Sequence, residues 1–96
     1  MDTLPTKGGY GLGLLYHATS RSKARSILKE GLKGGFLAYD LRDAVEYSRE
    51  VRHRELEEPS ILVVNLPSYW PLERVETNGV YVSPKKIPRR FIREVK

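Results

Sequence analysis

His17 and Thr19 stand two residues apart in the run Leu15-Tyr16-His17-Ala18-Thr19-Ser20, and the run leads directly into Ala24, Ile27, Leu28 and Leu32. It reads as a strand that delivers one imidazole and one hydroxyl to a strand-to-helix junction, a place that opens on a cleft more often than into a core. Imidazole donates and accepts hydrogen bonds at once, and a neighbouring hydroxyl adds a second polar contact. A strand histidine whose ring bonds a backbone carbonyl is the competing structural reading.

A second group of chemistry-bearing residues is cationic. Lys85, Lys86, Arg89 and Arg90 cluster near the end of the chain, followed by Arg93 and Lys96. Seventeen basic residues against twelve acidic ones give a net charge of +5. That imbalance favours polyanionic partners, with RNA, DNA or a nucleotide ahead of a membrane surface, because no strongly amphipathic basic helix with bulky apolar residues is visible. The competing reading is a soluble surface that happens to be basic.

Several chemistries are excluded at once. The chain has no cysteine, which removes disulfides, thiolate nucleophiles and thiolate metal sites. His17 and His53 are the two histidines, and neither sits at a metal-ligand spacing, so no metal is expected. The glycines at 8, 9, 11 and 13 are not a phosphate loop, since no Lys-Ser or Lys-Thr follows them. No apolar run approaches the roughly 20 residues that span a bilayer, and the first residues lack the form of a secretory signal. A cytoplasmic protein is expected. Glutamine is absent and Arg, Lys and Glu abound, a composition typical of chains from hot environments.

The elements that must position these residues follow from periodicity. With 96 residues the chain makes one domain, expected over 10–96 behind a flexible lead at 1–9. A strand is predicted over about 12–18. A helix over about 21–30 follows, capped by Thr19 or Ser20 and stopped in the left-handed region at Gly31. Phe36-Leu37-Ala38-Tyr39 reads as a short strand. Asp40 caps a second helix whose buried stripe is predicted as Leu41, Ala44, Val45, Ser48 and Val51, with Arg42–Glu46 and Glu50–Arg54 as ion pairs on its surface. This helix is expected to fray after Val51 and to end at Pro59. Ser60 to Leu66 is the strongest strand and is expected to be central. Asn78-Gly79 signals a tight turn into Val80-Tyr81-Val82, and Arg89 to Val95 is expected to close the sheet as an edge strand. The mixture without strict alternation gives an α+β class.

Taken in order, Leu-Tyr-His-Ala-Thr-Ser, Ile-Leu-Lys-Glu-Gly-Leu, Asp40 with Ala44, Val51-Arg52-His53, Pro59-Ser-Ile-Leu-Val-Val, Asn78-Gly79-Val80-Tyr81-Val82-Ser83 and Ile87-Pro88-Arg-Arg-Phe-Ile92 resemble the C-terminal lobe of the NAD-dependent RNA 2'-phosphotransferases. The resemblance covers about residues 14 to 95. It implies an ADP-ribosyltransferase-like fold, with a split β-sheet core, two helices and a cleft between two small sheets. It also implies NAD as cofactor, held by its ribose through His17 with Thr19 beside it. Phe36 falls where the family has a second histidine and where the wider superfamily often has an aromatic residue stacked on nicotinamide. Arg52 is the best match to a phosphate-contacting arginine, with Arg49 and Arg54 as rivals. Glu76 matches the place of the catalytic glutamate of many ADP-ribosyltransferases, where a carboxylate stabilises positive charge at the anomeric carbon.

The family's N-terminal lobe, which holds the RNA phosphate, has no counterpart before Leu14. A partner chain completing the site is therefore one expectation, and a different acceptor is the other. The resulting reading is an ADP-ribosyl-transferring domain acting on an RNA 2'-phosphate or another anionic acceptor. Its alternative is a non-catalytic RNA- or nucleotide-binding module on the same fold, using the basic tail. Tyr39, Tyr69, Trp70 and Tyr81 remain open between core, stacking surface and interface.

Overall fold

The computed structural model describes residues 14–75 and 79–95. The expected lead at 1–9, the first residues of the first strand, Glu76, Asn78 and Lys96 lie outside them. The described residues form an α+β architecture of six antiparallel strands and two α-helices. In chain order these are β1 (Leu14–Ser20), α1 (Arg21–Glu30), β2 (Leu37–Ala38), α2 (Leu41–Glu55), β3 (Pro59–Asn65), β4 (Glu73–Arg74), β5 (Val80–Val82) and β6 (Ile92–Glu94). The strand order across the sheet is β4-β5-β2-β1-β3-β6.

β1 pairs with β3 along its whole length, from Leu14 opposite Asn65 to Ser20 opposite Pro59. That pairing explains why β1 runs two residues past its predicted end. On its other side β1 meets β2 through a single register pair, Tyr16 with Ala38. The two small sheets expected from the sequence are thus one hydrogen-bonded sheet, whose halves β4-β5-β2 and β1-β3-β6 join at that point. β3 lies between β1 and β6; its residues Leu62, Val63 and Val64 are all buried, as four consecutive aliphatics predict.

Register sorts the core into two faces. Leu15, Val64 and Ile92 align across three strands, and with Leu62, Leu37 and Tyr81 they pack against Ala24, Ile27 and Leu28 of α1. The other face carries the row Val63, Tyr16, Ala38 and Val80. α2 covers that face through Ala44 and Val51, both buried. The predicted α2 stripe is therefore corrected. Leu41 and Val45 are exposed, whereas Ala44, Tyr47, Ser48 and Val51 face inward. The buried stripe follows the i, i+3, i+4, i+7 pattern from Ala44, whose small side chain lets the helix approach the sheet.

Caps define the helices as the sequence implied, with adjustments. Ser20, not Thr19, caps α1, its Oγ accepting from the Lys23 amide at 3.3 Å. Asp40 caps α2 by accepting from the Arg42 amide at 2.9 Å, and this bond holds its carboxyl below the usual range. α2 does not fray after Val51; it continues to Glu55 and stops at Leu56, which adopts a left-handed φ of 53°. Pro59 belongs to β3. Near the C-terminus, Phe91 N donates to Pro88 O at 3.1 Å, so Arg89–Phe91 forms a 3-10 turn and the edge strand shortens to Ile92–Glu94. The predicted pairs on α2 are replaced by Arg42 with Asp40, Arg49 with Glu46 and Arg52 with Glu58.

Gly31 ends α1 with its amide bonded to Ile27 O. Its φ of 98° and ψ of 172° lie in an extended region open to glycine alone, not in the left-handed helical region predicted. A Cβ at this position would lie 2.6 Å from Ile87 O, because Leu32 and Ile87 form a bridge just beyond. Gly31→Ala is expected to cost about 2–4 kcal/mol, combining backbone strain with a clash that a carbonyl cannot relieve cheaply. Gly34→Ala, which adds a methyl with nothing within 4 Å, should cost about 1 kcal/mol. Urea unfolding of the two variants checks this, and equal losses would contradict it.

Candidate functional site

Beyond the Tyr16–Ala38 pair, β1 and the chain leading to β2 separate, and a cleft of about 550 Å³ opens beside β1. Its volume is that of an ordinary small-molecule site, roughly 300–1,000 Å³. β1 lines it with Tyr16 to Thr19, α1 with Lys23, Ser26 and Ile27, the connecting loop with Leu32 to Phe36, and α2 with Ala44, Tyr47, Glu50, Val51 and Arg54.

His17 spans the gap. It is buried, and its Nδ1 donates to Phe36 O at 2.9 Å. That donation leaves Nε2 as the nitrogen carrying the lone pair. Burial pushes the imidazole below its ordinary value; the Phe36 carbonyl works against this and the charge of Lys23 adds to it. The ring is therefore neutral near pH 7. The loop accommodates the ring only because residue 35 is glycine. Gly35 has a φ of 90°, and a Cβ there would lie 2.6 Å from His17 Cε1. Both readings of this histidine coexist, since the ring bonds a backbone carbonyl and lines the cleft.

Thr19 is buried, and its hydroxyl makes no hydrogen bond among the described residues. An unsatisfied hydroxyl costs about 1–3 kcal/mol, so the cleft holds unspent polar capacity. Phe36 is half exposed and stacks on Tyr47, with ring centroids 6.2 Å apart and planes 19° from parallel. The two rings offer a flat apolar surface at the cleft. Lys23, Lys33 and Arg54 add positive charge, and Glu50 is the single carboxylate among the described lining residues.

His17, Thr19 and Phe36 all line this one cleft. Arg52 does not line the cleft; it is exposed and paired with Glu58 at 3.7 Å. Of its two rivals, Arg54 lines the cleft and Arg49 lines an adjoining hollow that shares Tyr47, Glu50 and Arg54 with it and reaches Val80 of β5. Glu76 lies outside the described residues. Lys85, Lys86, Arg89 and Arg90 are exposed and stand apart from the cleft. The sequence analysis missed Tyr47, Lys23, Lys33 and Glu50. Tyr47 had a signal, since it falls three residues after Ala44 and four before Val51 on the inward face of α2.

The N-terminus of α1 is not a free anion site. Ser22 Oγ donates to Glu57 Oε1 at 3.0 Å, with the Ser22 amide 3.5 Å from the same oxygen. Hydrogen bonds from Ser20 and Ser22 hold the Glu57 carboxyl below its usual range.

Compared with known proteins, the chain matches no family model and no curated protein.

The His17 environment sets a pH dependence. Its folded-state pKa lies below that of the unfolded chain, so the unfolded chain takes up the proton first on acidification. The resulting contribution to stability is complete above the ordinary value of 6.5 and is lost as pH falls through the folded value. Stability in urea, followed from about pH 7.5 to about pH 5, should fall more steeply for the wild-type chain than for His17→Asn. Parallel profiles would contradict the buried neutral imidazole.

Proposed function

We propose that this chain binds NAD in the cleft beside β1 and passes its ADP-ribose unit to an anionic acceptor, an RNA 2'-phosphate or another nucleic-acid group. The fold would then be a small version of the ADP-ribosyltransferase-like arrangement that the sequence resembles. The observation that supports this reading is that His17, Thr19 and Phe36, the cofactor residues the resemblance implies, all line one cleft.

The lining fits a dinucleotide in chemical terms. A buried hydroxyl at Thr19 without a hydrogen bond among the described residues and an imidazole with Nδ1 already committed suit ribose hydroxyls. The Phe36 and Tyr47 rings suit a flat heterocycle. Lys23, Lys33 and Arg54 suit a diphosphate. NAD supplies an activated bond between nicotinamide and ribose. The chain's own part is to bind the ribose at His17 and Thr19, to hold a ring against Phe36, and to balance phosphate charge.

Amide-resolved NMR titration tests the reading. Adding NAD should shift resonances at 16–20, 33–36 and 47–54, and His17→Ala should weaken binding at least about tenfold, the scale of a buried hydrogen bond and its positioning effect. No shifts at millimolar NAD would overturn the reading for this chain.

One observation favours a second reading, an RNA-binding module. Lys85 Nζ lies 4.4 Å from the Trp70 ring centroid and the Arg90 guanidinium lies 4.6 Å from that of Phe91, while the two rings meet edge to face at 5.8 Å. Cations interleaved with aromatic rings are the pattern of single-stranded nucleic-acid surfaces. Lys85→Glu with Arg90→Glu should then weaken RNA binding and reduce its salt slope by about two phosphate contacts, leaving NAD shifts in place. An unchanged slope would rule the patch out.

A further inference from the structure

Leu32 N donates to Ile87 O at 2.9 Å and Ile87 N donates to Leu32 O at 2.8 Å, an isolated antiparallel bridge between two buried residues. Lys33 follows Leu32 just as Lys86 precedes Ile87, so the bridge sets these two lysines beside each other. Lys33 also lines the cleft. Gly31 brings a third cation in. A Cβ there would lie 3.1 Å from Lys86 Cε and 3.6 Å from the Arg89 amide, so the Lys86 stem crosses the end of α1 with Arg89 next to it. Beyond Arg89, the Arg90 guanidinium lies over Phe91 and Lys85 Nζ over Trp70, the two rings meeting edge to face. Cations thus follow one another from the cleft to the aromatic pair. Lys33, Lys86 and Arg89 are exposed, and their side chains make no ion pair or hydrogen bond among the described residues. The α2 arginines differ, since Arg42, Arg49 and Arg52 each pair with a carboxylate. Glu30 is the one acid within 29–33 and 85–90, and it pairs with none of these cations among the described residues.

We propose that a single strand of RNA lies along this ridge, its bases at the Trp70 and Phe91 rings and its phosphodiesters on Arg89, Lys86 and Lys33, and so reaches the mouth of the cleft. The proposal rests on the RNA reading of the aromatic patch and deepens it. Like charges held side by side repel one another and cost stability, and no carboxylate of the fold offsets that cost here. A bound polyanion does offset it. Cations spaced along a line match phosphates repeated along a backbone, whereas a single small anion is satisfied by one cluster. Aromatic rings at one end of the line supply the stacking surface that a single strand offers its bases to. The patch and the cleft are then two ends of one surface, tied together through backbone hydrogen bonds between Leu32 and Ile87.

The probe is an oligouridylate of about 12 nucleotides, within the range that one single-strand site covers. Its affinity is measured over a range of salt for the wild type and for Lys86→Gln with Arg89→Gln, which removes two charges from the middle of the ridge. The salt slope should fall by about 1.4, two phosphate contacts at roughly 0.7 each. The comparison pair is Arg42→Gln with Arg49→Gln, which removes the same charge from α2 on the opposite face of the sheet. Its slope should stay near that of the wild type. The second measurement places the strand. A spin label at one end of the bound oligonucleotide should broaden the amides of 33–36, a label at the other end should broaden those of 70 and 85–91, and the ridge variant should lose the first effect. An unchanged slope in the ridge variant would overturn the proposal while leaving RNA binding at the aromatic patch intact. Equal losses in the two double variants would overturn it too, since net charge alone would then account for binding, and so would a label that leaves 33–36 sharp from either end. If the wild-type chain binds no RNA, the RNA reading itself fails and takes this proposal with it. All four substituted side chains are exposed, and equal urea midpoints confirm that the variants fold.

Discussion

The hydrogen bond from His17 Nδ1 to the Phe36 carbonyl crosses the place where the sheet parts, and the cleft takes its form from it. β1 is tied to β3 over seven residues but to β2 at one pair. Backbone pairing therefore cannot hold the 31–36 loop against β1, and a side chain does so instead. The bond fixes the imidazole tautomer and ties the loop that carries Phe36 to β1. Gly35 is the other half of this device, because any side chain there would occupy the imidazole's space.

The electrostatics of the cleft follow from what the helices have already used. α1 ends at its N-terminus on Ser20, Ser22 and Glu57, so its amides are engaged from within the chain. Arg52 is engaged with Glu58. The charges that line the cleft are Lys23, Lys33 and Arg54 against Glu50, contributed by three separate elements. The charged side chains lining the cleft are thus mostly cationic. On the far side of Gly31, the Leu32–Ile87 bridge ties the loop of the cleft to the segment bearing Lys85, Lys86, Arg89 and Arg90.

Much of the scaffold was legible in the residues. α1 was bounded correctly because Ser20, the apolar series from Ala24 and Gly31 each report a local cause, namely a cap, a periodicity and a stop. β3 was legible because its aliphatics are buried on both faces. The α2 stripe was less legible, since Leu41 and Val45 are apolar but lie beside the contact line; only the approach of Ala44 to the sheet decides which side of the helix faces inward. The ion pairs of α2 were misjudged for a related reason. Exposed charges two, three, four or six residues apart compete for partners at similar energy, each pair contributing only about 0.2–1 kcal/mol, and spacing alone does not choose between them.

The sequence by itself determined the class of the fold, most of its elements and three residues of the cleft, because caps, periodicity, glycine stops and the His-x-Thr run all act within a few neighbours along the chain. Tertiary structure alone decided that two expected sheets would join as one at Tyr16 and Ala38, and that His17 would reach a carbonyl nineteen residues away. It also decided that Tyr47, Lys23, Lys33 and Glu50 would face the same space as Thr19. Those outcomes depend on how far two strands diverge and how closely a helix approaches them, quantities set by packing between elements distant in sequence and written in no local pattern.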